Sequence, residues 1–126
     1  MSRGQLSSFW SEAVESICYN KKDMGKNIEI HIVRVFINPD GKFGNPVGII
    51  LDEGRKINLQ KRQKIATELG FSESVFINDK NAGRISIHNP QREILFAGHA
   101  TLGTAWFINK LNDKPIESLE CKGGHI

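Results

Sequence analysis

Short segments that alternate apolar and polar positions occupy much of the chain after residue 27. Ile28, Ile30 and Ile32 alternate with polar residues in a segment that runs to residue 37. The turn sequence Asn38-Pro39-Asp40-Gly41 follows, and a second apolar segment covers Val47 to Leu51. Alternation with a period of two is typical of strands, and a turn between two such segments favours a hairpin. We therefore expect these two strands to pair.

Further short strands are predicted along the rest of the chain. They cover residues 75–78, 84–89 and 94–97, and another strand begins near residue 118. A turn rich in Asn, Asp and Gly separates the first two of these strands, and Pro90 ends the second.

Two segments show helical periodicity instead. The first runs from Leu59 to Leu69, with Asn58 as the predicted N-cap and Gly70 just past its end. Its predicted buried stripe consists of Leu59, Ile65, Ala66 and Leu69. The second runs from about His99 to Leu111 and is apolar nearly all round, which is typical of an enclosed helix. The pattern predicts an α+β fold in which short, mostly antiparallel strands wrap around one buried central helix.

Residues 1–27 differ from the remainder. Apolar residues recur at helical spacing between residues 9 and 18, and Ser7 or Ser8 is the predicted N-cap. We expect an amphipathic helix followed by a polar linker over residues 20–27, and then one lobe over residues 28–126. The apolar face of this helix would pack on its own domain or on a dimer mate. Binding to a membrane surface is less favoured, because the polar face carries Glu12 and Glu15.

Composition narrows the class of protein. The chain has 126 residues, of which 39% are hydrophobic and 25% charged, as in an ordinary globular domain. The net charge is +3, but the basic residues are scattered, so no nucleic-acid partner is expected. No apolar segment is long enough to span a membrane, and the start lacks a signal-peptide pattern. Cys18 and Cys121 lack the spacing of metal ligands. We expect reduced thiols, a cytoplasmic location and no metal site.

Three positions could carry chemistry. Glu73 lies between the end of a helix and the start of a strand, and apolar residues flank it, which suits a general acid–base. Taken alone, a Glu at this place is more often a solvated surface residue. Gly98 and His99 begin the central helix, whose free N–H groups can hold a carboxylate, although His99 could equally cap the helix. Asn45 offers a donor and an acceptor, although its Gly-Asn-Pro sequence is also an ordinary turn.

In combination these motifs resemble the phenazine-biosynthesis isomerase-like (PhzF-like) family, which has a diaminopimelate epimerase-like fold. The resemblance covers roughly residues 30–125. Its most specific segments, in order, are Phe43-Gly44-Asn45-Pro46-Val47-Gly48, Gly70-Phe71-Ser72-Glu73-Ser74-Val75-Phe76 and Phe96-Ala97-Gly98-His99-Ala100-Thr101-Leu102-Gly103. Any one of these segments alone is a weak signal, and their order and spacing make the set specific.

The resemblance implies an isomerase or epimerase that needs neither a metal nor an organic cofactor. Glu73 would be the general acid–base that moves a proton on a small cyclic or amino-acid-like substrate. Gly98 and His99 would bind the substrate and stabilise its developing charge, and Asn45 and Ser72 would also contact it. Related racemases with two catalytic cysteines are disfavoured, since the acid–base position carries Glu73.

This chain departs from the family pattern in three ways. Arg34 stands where many members have Asp, and Asn89-Pro90 stands where a Thr-Pro pair is common. Members have two pseudo-symmetric lobes, whereas this chain resembles the first lobe alone. A lone lobe would expose the apolar surface of its central helix. We therefore expect a homodimer, or a separate second lobe, to complete the site.

Three functions remain open at this point. The chain could be an isomerase that is active in an assembled pair of lobes. It could instead be a catalytically silent lobe that binds a small carboxylate, or a truncated product without activity.

Overall fold

A mixed sheet with a helix on each face organises the chain in the computed structural model, which describes residues 14–23, 26–35, 45–112, 116 and 118–125. Its strands are β1 (Val14–Asp23), β2 (Lys26–Val35), β3 (Asn45–Leu51), β4 (Glu73–Asp79), β5 (Arg84–His88), β6 (Glu93–Ile94), β7 (Glu120–Cys121) and β8 (Gly124–His125). The helices within these residues are α1 (Leu59–Leu69) and α2 (Gly98–Leu111).

The strands follow the order β1-β2-β3-β4-β5-β7-β8, and β6 pairs with β5 beside this path. Strands β3 and β4 pair in parallel, as do β5 and β7, whereas the other pairs are antiparallel. The parallel pair β3–β4 requires a crossover connection, and α1 provides it. The predicted α+β class and the predicted pairing of β2 with β3 are confirmed.

Both faces of the central strands are buried, so these strands are nearly continuously apolar. One face packs against α2 in a cluster of Val33, Val47, Ile49, Val75, Ile77, Ile85, Ile87, Ala100, Phe107, Ile108, Leu119 and Cys121. The other face packs against α1 in a smaller cluster of Ile30, Ile50, Ile65 and Phe76. The alternation of side chains along each strand therefore decides which helix a residue meets.

Helix α1 begins and ends as the sequence predicts. The side chain of Asn58 accepts a hydrogen bond from the Lys61 N–H at 2.8 Å, and Gly70 follows the helix with a φ of 71°. The predicted buried stripe is wrong at one position, since Leu59 is exposed and Arg62 is buried in the helix instead. The side chain of Arg62 is buried because its charged group has a buried ion-pair partner.

That partner is Asp52, at the end of β3. Arg62 and Asp52 are 1% and 6% exposed, and Nη2 of the arginine lies 2.8 Å from Oδ2 of the aspartate. The aspartate also accepts hydrogen bonds from the N–H groups of Lys56 and Ile57, at 3.0 and 2.8 Å. The guanidinium carbon of Arg62 lies 4.8 Å from the centre of the Phe76 ring. This cluster ties α1 to the sheet and to the loop that precedes it.

A second polar contact joins α1 to β5. His88 is fully buried, and its Nδ1 lies 2.8 Å from Oε1 of Gln63. Burial is the main influence on the pKa of His88 and lowers it; Glu93 opposes this shift, while Arg62 and Arg55 add to it. The neutral ring then donates its Nδ1–H to Gln63, because an amide oxygen only accepts.

The start of the chain contains a correction. Residues 14–18 were predicted to be helical and residues 20–27 to be a linker, but Val14–Asp23 is a strand and Lys26 begins the next one. β1 pairs with β2 along its whole length, from Val14 opposite Val35 to Asp23 opposite Lys26. Branched and aromatic residues suit a strand, and pairing with β2 stabilises this segment, whereas a short helix must overcome a costly nucleation step. The predicted helical residues 7–13 lie outside the described residues.

Within the described residues, no helix is both long and apolar enough to cross a membrane.

Removal of the Asp52 carboxylate is expected to destabilise the fold strongly. Asp52→Ala leaves the buried Arg62 charge without its partner, which costs roughly 3–5 kcal/mol. Glu120→Ala is the matched control, because it breaks the exposed pair of Glu120 with Arg84, where a loss under about 1 kcal/mol is expected. Urea unfolding of both variants measures the difference. Equal losses would contradict a dominant role for the buried pair.

The stability of the fold is expected to decrease in mild acid because of His88. A lowered pKa in the folded state means that the unfolded chain binds the proton more readily. This contribution is complete above the ordinary histidine pKa of about 6.5 and is lost as the pH falls towards the folded value. Urea unfolding gives the free energy of unfolding at about pH 7.5 and 5.5. The difference between these two values should be smaller for His88→Phe than for the parent chain. An unchanged difference would refute this assignment.

Candidate active site

Glu73 is the first residue of β4 and lies opposite Val47 of the parallel strand β3. Its side chain is half-buried, and its Oε2 atom is buried without a hydrogen-bond partner among the described residues. Alternation along β4 puts this side chain on the same face as Val75, which is the face that packs against α2. A buried carboxylate oxygen without a hydrogen-bond donor lowers the stability of a fold. It also remains able to accept a hydrogen bond or a proton from a bound molecule.

The loop before Glu73 is held against β3 at Gly48. A side-chain carbon at this glycine would lie 3.1 Å from Cδ1 of Leu69 and 3.3 Å from Cδ2 of Phe71. Leu69, which ends α1, and Phe71 therefore pack directly on the β3 backbone. No role was predicted for Gly48, although a glycine inside an apolar strand is a recognisable signal of close approach. Ser72 lies in the bend before β4, and its side chain is exposed.

Asn45 opens the neighbouring strand. It is the first residue of β3, is half-buried, and lies opposite Val35 of β2. It precedes Val47 by two residues, so its side chain shares the face of Val47 and Glu73. Since β3 and β4 are parallel, Asn45 and Glu73 lie at the same edge of the sheet.

Helix α2 begins without a side-chain cap. Its N-cap residue is Ala97, whose carbonyl oxygen accepts hydrogen bonds from the N–H of Thr101 at 2.9 Å and from the Thr101 hydroxyl at 2.8 Å. The N–H groups of Gly98, His99 and Ala100 have no partner within the helix. Among the described residues, a side-chain carbon at Gly98 would meet nothing within 4 Å, so they leave the approach to this first turn open. The side chain of His99 lies outside the described residues.

Strand β6 precedes α2 and pairs with β5, and β5 in turn pairs with β4, which begins at Glu73. Glu93 of β6 lies opposite His88 of β5, which lies opposite Ser74, the residue after Glu73. Helix α2 starts shortly after β6, and its Ala100 belongs to the same apolar cluster as Val75. The structure therefore puts Glu73, Asn45 and the start of α2 on the same face of the sheet.

Large apolar side chains surround the start of α2. Leu95 is 58% exposed, Phe96 is 56% exposed and Leu102 is 46% exposed. The helix predicted to be enclosed is thus covered on one side alone within the described part of the chain. Exposed apolar surface is what the sequence predicts for a lobe without its neighbour.

Comparison with known proteins shows which family this chain belongs to. The family model described as PhzC-PhzF, phenazine biosynthesis-like protein, matches residues 33–126. The chain is 35% identical over 86 residues to the trans-2,3-dihydro-3-hydroxyanthranilate isomerase of Pseudomonas aeruginosa. That match covers 66% of this chain and 31% of the relative. An uncharacterized isomerase of the same species is 34% identical over 104 residues, which are 79% of this chain and 39% of that protein.

Solved structures show the same relationship. A PhzF-family phenazine biosynthesis protein of Bacillus anthracis has a TM-score of 0.61 and 29% identity, over 79% of this chain and 34% of that one. A PhzF-family protein of Enterococcus faecalis has a TM-score of 0.57 and 28% identity, over 66% of this chain and 33% of that one.

The chain thus spans well under half the length of the relatives it matches, and its fold is diaminopimelate epimerase-like, as the resemblance implies. It belongs to the PhzC-PhzF family of phenazine biosynthesis-like proteins.

Proposed function

We propose that this chain is one lobe of a cofactor-independent isomerase that moves a proton on a small cyclic or amino-acid-like carboxylate. The observation that carries the proposal is the buried Oε2 of Glu73, which has no hydrogen-bond partner among the described residues. The names of the relatives support the reaction class, since several are isomerases. Free Cys121 and a composition without disulfide or metal spacing support a cytoplasmic setting.

In this proposal Glu73 is the general acid–base. Its carboxylate removes a proton from one atom of the substrate and returns it to another, so the reaction needs no net oxidant, reductant or water. Such proton transfer by a positioned side chain contributes on the order of a hundredfold to ten-thousandfold to a rate. Glu73 is half-buried, and the preceding residues Leu69 and Phe71 pack at Gly48 on the other face of the sheet, which supports a fixed start of β4.

The first turn of α2 is the proposed site for the substrate carboxylate. The N–H groups of Gly98, His99 and Ala100, which have no partner within the helix, and the positive end of the helix dipole favour an anion. The absence of described atoms within 4 Å of a side-chain carbon at Gly98 supports an open approach to this turn. Asn45 and Ser72 are proposed to contact the remainder of the substrate, because they lie at the two strand starts beside Glu73.

We further propose that a second lobe, supplied by a dimer mate or by a separate chain, completes this site. The exposed apolar residues Leu95, Phe96 and Leu102 support this, because they flank the start of α2.

The acid–base role is tested by replacing Glu73 with Gln, which preserves shape but removes the proton acceptor. In D2O, trans-2,3-dihydro-3-hydroxyanthranilate is expected to gain deuterium with the parent chain, and Glu73→Gln should lower that rate by at least about a hundredfold. Glu53→Gln is the matched control, because Glu53 is exposed near the opposite end of β3. Mass spectrometry of the recovered substrate measures the exchange.

Binding is measured separately, by the rise in melting temperature with anthranilate. The proposal expects Glu73→Gln to retain this rise while it loses exchange. Unchanged exchange in Glu73→Gln would refute the acid–base assignment. Binding without exchange in the parent chain would instead favour a catalytically silent carboxylate-binding lobe.

The assembly proposal makes a prediction about molar mass. Light scattering on a sizing column is expected to give a dimer near twice 14.1 kDa. Phe96→Ser should shift this dimer towards monomer, because it removes an exposed aromatic side chain from the proposed interface. Leu59→Ser is the control, since Leu59 is equally exposed but lies on α1. A monodisperse parent monomer would overturn the homodimer.

A further inference from the structure

The carbonyl group of Leu95 receives two hydrogen bonds from the hairpin of β7 and β8. The N–H of Gly123 donates to this oxygen at 3.1 Å, and the thiol of Cys121 donates to it at 3.0 Å. Leu95 lies between the end of β6 and Ala97, the N-cap of α2. The hairpin thus holds the chain directly before the proposed carboxylate site.

This hairpin is itself fixed to the sheet. Glu120 lies opposite Arg84 of β5, and its N–H donates to the carbonyl oxygen of Gly83 at 2.8 Å. Cys121 is 9% exposed and belongs to the same apolar cluster as Ala100 of α2. The hairpin therefore connects the sheet to the start of α2 through fixed contacts.

Gly123 approaches Leu95 so closely that no other residue fits without displacement. A side-chain carbon at Gly123 would lie 2.6 Å from the Leu95 carbonyl oxygen, which is a rigid backbone atom. The neighbouring Gly124 differs, since such a carbon would meet no described atom within 4 Å and its φ is +111°. Substitution at Gly123 thus tests the contact with Leu95, whereas substitution at Gly124 tests backbone strain in the same hairpin.

We propose that Cys121 and Gly123 are positioning residues, which set the place of the first turn of α2 through the Leu95 carbonyl. The N-cap of α2 is Ala97, whose side chain has no polar atom that could cap the helix. The two hydrogen bonds to Leu95 instead fix the chain two residues before this N-cap. The consequence for substrate rests on the proposed function, because the N–H groups of this turn are the proposed carboxylate site.

The first test does not depend on activity. Cys121→Val keeps an apolar side chain of similar size and removes the donor, whereas Cys121→Ser keeps a donor. Amide hydrogen exchange at Thr101, whose N–H donates to Ala97 at the start of α2, should become faster in Cys121→Val and recover in Cys121→Ser. The amide of Asn112, which donates to Ile108 at the other end of α2, is the internal control and should not change.

Equal acceleration at Thr101 and Asn112 would overturn the positioning role, because it would show general loss of stability. No change at Thr101 in Cys121→Val would overturn it as well. If Cys121→Val does not fold, Gly123→Ala replaces it. The clash with Leu95 should then accelerate exchange at Thr101 more than Gly124→Ala does.

The second test measures the site. Gly123→Ala is expected to weaken anthranilate binding and to lower kcat/KM by about ten- to a hundredfold, mainly through KM, because displaced N–H groups hold the carboxylate less well. Gly124→Ala should lower melting temperature without this selective rise in KM. Unaltered binding and KM in Gly123→Ala, beside altered exchange at Thr101, would refute the link to the carboxylate. Absence of binding and turnover in the parent chain would refute the proposed function and leave the exchange result standing.

Discussion

The buried pair of Asp52 and Arg62 is the interaction on which much of this structure depends. It joins the end of β3, the following loop and the first turn of α1 at a distance of 2.8 Å, where water cannot screen the charges. Helix α1 is otherwise polar on its outer side, so its position on the sheet depends on a small apolar cluster and on these polar contacts. Its last turn in turn packs on Gly48, and the next strand begins at Glu73.

The two helices contact the sheet in different ways. Helix α1 is held by polar contacts together with a small apolar cluster, and β4 begins at Glu73 shortly after this helix ends. Helix α2 is held by apolar packing against β2, β3 and β4, and its start remains open. Small residues at that start allow both close packing on the sheet and access to free N–H groups. The fold thus brings a carboxylate and a potential anion site to one face, while Leu95 and Phe96 stay exposed beside them.

Sequence patterns predicted most of the elements between residues 28 and 111 because their signals are local. Asn58 and Gly70 specify the ends of α1 through hydrogen bonds and backbone geometry that need no distant partner. Two predictions failed for the opposite reason. Leu59 was assigned to the core but is exposed. Arg62 is buried instead, because it pairs with Asp52, which directly follows β3. Residues 14–18 were assigned to a helix, yet pairing with β2 makes them a strand.

The sequence alone determined the order of the elements from β2 to α2, the family resemblance and the candidate site residues Glu73, Gly98 and Asn45, since each depends on residue type and spacing. The tertiary structure decided which of these residues share a face, because that depends on the parallel register of β3 and β4. It also decided that Cys121 and Gly123 meet the Leu95 carbonyl, a contact between segments 26 and 28 positions apart. No local pattern specifies such a contact, because it forms only when the sheet brings β6, β7 and β8 together.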